Sequence, residues 1–215
     1  MIAFFNIWSL FIFLFFFNST ILFSQCEEFK SESISKINQV ILDLEGLKQP
    51  SFLSSSQLLS VIYPELATYS KVKNEAELAY LNFNYTLNND RYKSISFGPF
   101  QMQLSFIDKY LSENQNLIKG DSILCSYSRG NYKFLINNIN YLNQIKVQWK
   151  ILLAFEQSIL NKYKIDDSDL NYSFFINIYN SGKPENNNLV FSKIKCLELT
   201  YEHWCYKIQN WINGI

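Results

Sequence analysis

Apolar residues recur at helical spacing along most of this chain. Over 33–44, Ile34, Ile37, Val40, Ile41 and Leu44 share one face, which predicts a helix stopped by Gly46 and Pro50. Ser54 to Ser56 offer N-caps for a second helix carrying Leu58, Leu59, Val61, Ile62 and Leu66. Pro64 lacks an amide hydrogen and crowds the carbonyl of Ser60, so that helix kinks near its end or a new one begins at Pro64. A third helix is expected over 75–87, capped by Asn74, with Leu78, Leu81 and Tyr85 on one side. Asn88-Asn89-Asp90 is turn chemistry, and 92–100 is the one stretch that reads as extended.

Helix is expected again over 103–111, then a polar loop over 112–122. The run 131–164 is helical, with a break near 137–140, and carries Phe134, Leu135, Ile139, Leu142, Ile145, Trp149, Leu152, Leu153 and Phe155. Asp166 to Ser168 cap a helix reaching Tyr179, which Ser181-Gly182-Lys183-Pro184 ends, and a last helix covers 197–212. The fold class is therefore mostly α, one domain over 25–215 with a short extended element near 92–100.

The first 24 residues read differently. Ile7 to Phe17 is almost wholly apolar, and no charge precedes Glu27. This is the pattern of a secretory signal peptide cleaved before Gln25, and it implies a periplasmic or extracellular protein. The alternatives are an uncleaved anchor, interrupted by Asn6, Ser9, Asn18, Ser19 and Thr20, and a lipid on Cys26 behind a poor lipobox. Behind a signal peptide, Cys26, Cys125, Cys196 and Cys205 permit up to two disulfides in three connectivities. Cys196 and Cys205 would stand roughly 13 Å apart on one helix, too far to bridge each other. Asn84-Tyr85-Thr86 and Asn171-Tyr172-Ser173 match glycosylation sequons.

Composition narrows the chemistry. Lys+Arg and Asp+Glu both number 19, so net charge points to no nucleic-acid partner and to membrane contact only through the N-terminal segment. The single histidine, His203, leaves no His-rich metal site, and no CxxC is present. Six scattered glycines form neither GxGxxG nor a P-loop. No metal or cofactor is expected.

Glu65 shares a helical stripe with Leu58, Ile62 and Tyr69, if the helix survives Pro64. A carboxyl on an apolar stripe faces the interior or a cleft, and burial raises its pKa. A carboxylic acid held protonated suits glycosidic cleavage, where the leaving oxygen needs a proton. In Ser96-Phe97-Gly98-Pro99-Phe100-Gln101-Met102, Gly98 permits close backbone approach and Pro99 stiffens the turn. Such a turn can offer main-chain groups to a ligand, and Gln101 adds an amide that donates and accepts.

Gly98-Pro99-Phe100-Gln101-Met102 resembles the Gly-Leu-Met-Gln-Ile segment of lysozyme-like lytic transglycosylases and goose-type lysozymes. In that family a catalytic Glu lies upstream and an Ala-Tyr-Asn segment downstream; this chain has Glu65 and Ile178-Tyr179-Asn180 in the same order. The resemblance spans about 58–182. It implies that Glu65 is the general acid and then the base. Gly98, Gln101 and the backbone of Phe100 and Met102 would line a sugar groove. Tyr179 would orient the Glu65 carboxyl, and Asn180 would contact substrate near the scissile bond. The family often has Ser after its Glu, where this chain has Leu66, and Phe100 is bulkier than the family's Met.

No second acid is placed as well. Glu75 and Glu77 lie on the next helix, and Asp90 and Asp108 flank the motif, Asp108 on a face read as solvated. A single acid fits the transglycosylase route on a peptidoglycan glycan strand. The alternative is a degenerate lysozyme-like module that binds glycan or a protein partner without cleaving it.

Overall fold

A helix buried along its middle must carry apolar residues on most of its faces, and Ile145–Tyr163, exposed only at Lys146, Asn161 and Lys162, is such a helix. Residues Ile151 through Glu156 are all buried in succession along it. Among the described residues, the helices at 104–113 and 139–142 pack against it. The computed structural model describes residues 27–44, 47, 53–118, 120–164, 172–181, 190–191 and 199–213. The N-terminal stretch read as a signal peptide, Cys26, Asp166 to Ser168, Asn171, Gly182 to Pro184 and Cys196 lie outside these residues.

The described chain is mostly helical. Helix α1 covers 27–44 and buries Ser33, Ile37, Val40 and Leu44 along one stripe. Helices α2 (Ser55–Ser60), α3 (Tyr63–Thr68) and α4 (Lys71–Thr86) follow. A 3-10 turn, Asp90–Ser94, leads into strand β1 (Ser96–Phe97), paired antiparallel with β2 (Met102–Gln103). Then come α5 (Leu104–Glu113), α6 (Tyr132–Asn137), α7 (Ile139–Leu142), α8 (Ile145–Tyr163) and α9 (Tyr172–Ser181). A second small hairpin, β3 (Val190–Phe191) with β4 (Leu199–Thr200), precedes α10 (Tyr201–Ile212). Among the described residues no helix is long and apolar enough to cross a membrane.

Several boundaries differ from those expected. The stripe Leu58–Ile62–Glu65–Tyr69 is not one helix: α2 ends at Ser60, and α3 starts with Pro64 in its first turn, where the missing N–H costs nothing. Ser54 caps α2 with a full capping box to Gln57. Asn74 is not a cap, because Ser70 takes that role and Asn74 is carried inside α4, 3% exposed. Most of the stretch 92–100 is not extended; it is a 3-10 turn and a tight reversal around a two-residue strand. The run 131–164 breaks at Asn138, as its polar residues predicted.

Helix α10 closes the fold against α2, α3 and α9. Phe29 of α1 meets Trp204 and Trp211 edge-on at 6.1 and 6.4 Å, which joins the two ends of the described chain. Cys125 is exposed, whereas Cys205 is buried with its Sγ 3.9 Å from the carbonyl of Val61. Asn84 is buried too, and its amide donates to the Tyr80 carbonyl at 2.8 Å, so that sequon is closed to modification in the fold.

Candidate functional site

Glu65 sits in the first turn of α3, whose Glu65 and Leu66 amides donate to the Ile62 carbonyl. Tyr63, Pro64, Leu66 and Ala67 are buried around it, which anchors the turn by its apolar residues and leaves Glu65 partly exposed. Its Oε2 is sealed from solvent.

The β1–β2 reversal is built by two buried amides. Gly98 has φ 77°, a backbone that L side chains rarely adopt. A Cβ there would stand 1.9 Å from Gln148 Nε2. The Gly98 N–H donates to Asn74 Oδ1 at 2.6 Å. Gln148, fully buried on α8, accepts from Phe100 N–H at 2.8 Å and donates to the Phe97 carbonyl at 3.2 Å. Asn74 also donates to Asn143 Oδ1 at 3.2 Å. These side chains satisfy main-chain groups that the short ladder leaves unpaired.

Tyr179 reaches the same turn from α9. Its hydroxyl donates to the Phe100 carbonyl at 2.6 Å, not to Glu65 as the resemblance implied. Burial lifts the phenol well above its ordinary value, and the neighbouring Glu65 carboxylate raises it further. The ring belongs to an aromatic cluster with Phe106 (5.2 Å) and Phe155 (5.7 Å), to which Tyr110 also packs. These contacts fix where the hydroxyl can be.

Between these elements lies a cavity of about 580 Å³, within the usual size of small-molecule sites. Its walls are Glu65 from α3; Ser96, Gln101, Met102 and Gln103 from the hairpin; Ser105, Phe106, Lys109 and Tyr110 from α5; and Ile178, Tyr179 and Asn180 from α9. Three segments far apart in the chain thus converge on one space. Of the residues singled out from the sequence, Glu65, Gln101, Met102, Tyr179 and Asn180 line it. Gly98 and Phe100 do not: Phe100 is fully buried, and both backbone N–H groups are engaged by Asn74 and Gln148. The turn therefore shapes the wall from behind and does not present those amides to a ligand.

Glu65 is the one acid among the described lining residues. Glu77 pairs with Lys73 at 3.2 Å, and Asp90 with Lys93 at 2.7 Å. Asp108 is not solvated on its own: it accepts from the hydroxyl of Tyr127, from Gly130 N–H at 2.7 Å and from the Tyr132 hydroxyl at 3.3 Å. Lys109 lies over the Tyr110 ring, 4.6 Å from its centroid, and donates to its hydroxyl at 3.0 Å. His203 is exposed on α10 and does not line the cavity. Among the described residues no group of three or more His, Cys, Asp or Glu could hold a metal ion.

Sequence reasoning missed Asn74, Gln148, Lys73 and Glu77 as supports of the turn, and the α5 residues as a wall. Gln148 carried a signal: it is a polar residue inside the apolar run of α8. Comparison with protein-family models, curated proteins and solved structures finds no match to this chain.

Proposed function

We propose that the cavity is the substrate groove of a secreted, peptidoglycan-cleaving enzyme, acting as a lytic transglycosylase on the MurNAc–GlcNAc bond. The observation that carries this reading is the convergence on one cavity of Glu65, Gln101–Met102 and Tyr179–Asn180, three parts of the resemblance that lie far apart in the chain. Gln101, Gln103, Ser96, Ser105 and Asn180 supply polar contacts of the kind sugars need, and Phe106 and Tyr110 supply apolar surface.

In this reading Glu65, as the carboxylic acid, protonates the glycosidic oxygen while the bond to the MurNAc anomeric carbon breaks. The resulting carboxylate then takes the proton of the MurNAc 6-hydroxyl, whose oxygen bonds to that carbon. The products are a 1,6-anhydro end and a GlcNAc hydroxyl; no water is consumed and Glu65 is regenerated. A single acid among the described lining residues supports this route over hydrolysis, which ordinarily places a second carboxylate in the site. Tyr179 acts here as a wall that also fixes the hairpin turn next to Glu65.

Incubating the full chain with purified peptidoglycan, beside Glu65→Gln, tests the reading. Products with anhydro ends from the wild type alone are expected. Equal product from both proteins would remove Glu65 from the mechanism. A second reading, a glycan-binding module without cleavage, is favoured by the internal engagement of the Gly98 and Phe100 amides. Retained binding with no product from the wild type would select it.

A further inference from the structure

Gln101 stands at φ 53°, a left-handed position unusual for a residue with a side chain, so its placement is imposed by what holds it. Its amide lies between two groups of opposite polarity, one helical turn apart on α4. Lys73 Nζ donates to Oε1 at 3.0 Å. Nε2 donates to Glu77 Oε2 at 2.9 Å and to the Gly98 carbonyl at 3.1 Å. An ammonium only donates and a carboxylate only accepts, so these partners fix which end of the amide is oxygen. Both amide hydrogens are engaged, and Lys73 takes one of the two lone pairs on Oε1. One acceptor position is what the side chain has left, and Gln101 lines the cavity.

Resting on the glycan-cleaving reading of that cavity, we infer that Gln101 is an acceptor-only reader of the bound sugar, and that Lys73 and Glu77 are positioning residues that keep it so. It takes a hydrogen bond from a ligand hydroxyl or amide N–H and gives none to a carbonyl or carboxylate. An i,i+4 ion pair on a partly exposed helix face adds little stability of its own, so stability does not account for this arrangement. The pair instead holds the Gln101 amide in one orientation.

The double variant Lys73→Glu, Glu77→Lys separates the two roles. It keeps an i,i+4 ion pair but reverses the polarity on each side of the amide; only the Gly98 carbonyl still favours the original orientation, and the two reversed charges outweigh it, so Gln101 turns over and presents N–H. With a soluble GlcNAc–MurNAc tetrasaccharide as substrate, KM is expected to rise about tenfold with kcat within about twofold of wild type, the effect of one lost hydrogen bond in a shielded site. An unchanged KM would show a mere ion pair and overturn the inference. Should the double variant not fold, Lys73→Met with Glu77→Met removes both flanking charges, leaves the amide held by the Gly98 carbonyl alone, and is expected to raise KM by about threefold or more; an unchanged KM again overturns it. Nitrogen-edited NMR supplies a readout that a structural role would not move: both Gln101 amide protons stay protected when the sugar binds, and transfer of one to the ligand overturns the inference. A wild type that neither binds nor cleaves the tetrasaccharide defeats the glycan reading itself, and the inference with it. A cleaving wild type with an indifferent double variant defeats the inference alone.

Discussion

The hydroxyl of Tyr179 donates to the carbonyl of Phe100 at 2.6 Å, across 79 residues of chain. This bond ties α9 to the hairpin turn and so sets one wall of the cavity against another. Tyr179→Phe removes the donor and leaves a buried carbonyl without it, at a cost of about 1–2 kcal/mol. Urea denaturation should show that loss, and peptidoglycan cleavage should fall with it. A stability equal to wild type would mean that α9 is held by its aromatic contacts alone.

Gly98→Ala should be among the most damaging single-methyl changes in the chain. The added Cβ meets Gln148 at 1.9 Å, and φ is 77°. Either the turn moves or Gln148 leaves, and the second outcome abandons its bonds to Phe97 and Phe100. The expected destabilisation is about 3 kcal/mol, read from the denaturation midpoint at unchanged slope.

Gln148→Leu tests the same junction from the other side. It keeps apolar volume inside α8 but strands the Phe100 N–H and the Phe97 carbonyl in the core. A loss of about 2–4 kcal/mol is expected, larger than for a half-buried polar residue such as Gln157 on the same helix. Equal losses at the two positions would contradict the proposed support of the turn.

Asp121 predicts the acid limb of stability. Burial alone would raise its pKa, but the Leu124 amide, Lys150, Tyr141 and the Ile123 amide outweigh it and bring the carboxyl from 3.8 down to about 2. A depressed folded-state pKa gives stability that is present above the unfolded value and lost as pH falls. About 2 kcal/mol should therefore disappear between about pH 4 and 2. Denaturation of Asp121→Asn across that window should lack this component.

The alkaline limb has the opposite sign. Burial lifts Tyr63 to about 12, with Cys205 contributing. Burial and the hydrogen bond to Asp121 lift Tyr141 to about 12. A raised folded-state pKa gives stability that is complete below the unfolded value and lost as pH climbs through the folded one. The denaturation midpoint should begin to fall near about pH 10, and phenolate absorbance should appear later in the folded protein than in urea.

The sequence by itself determined the helical class and the break near Asn138, and narrowed the start of α2 to a cap among Ser54 to Ser56 and Pro64 to a kink or a new helix, because these follow from local rules that need no partner. Spacing of apolar residues, a missing amide and a capping hydroxyl act within one or two turns. Chain order also singled out Glu65, Gln101 and Tyr179, which share a cavity. What only tertiary structure decided is who satisfies whom. Asn74 looks like a helix cap in sequence, but the core places it against Gly98. Tyr179 looks like the partner of Glu65, but its hydroxyl donates to the carbonyl of Phe100. Gln148 stands out locally only as a polar residue in an apolar run, and Lys73–Glu77 only as an i,i+4 pair; neither pattern says that they hold the hairpin turn. Buried polar groups accept whichever partner the packing brings within about 3 Å, and that choice is made by helices meeting across the whole fold.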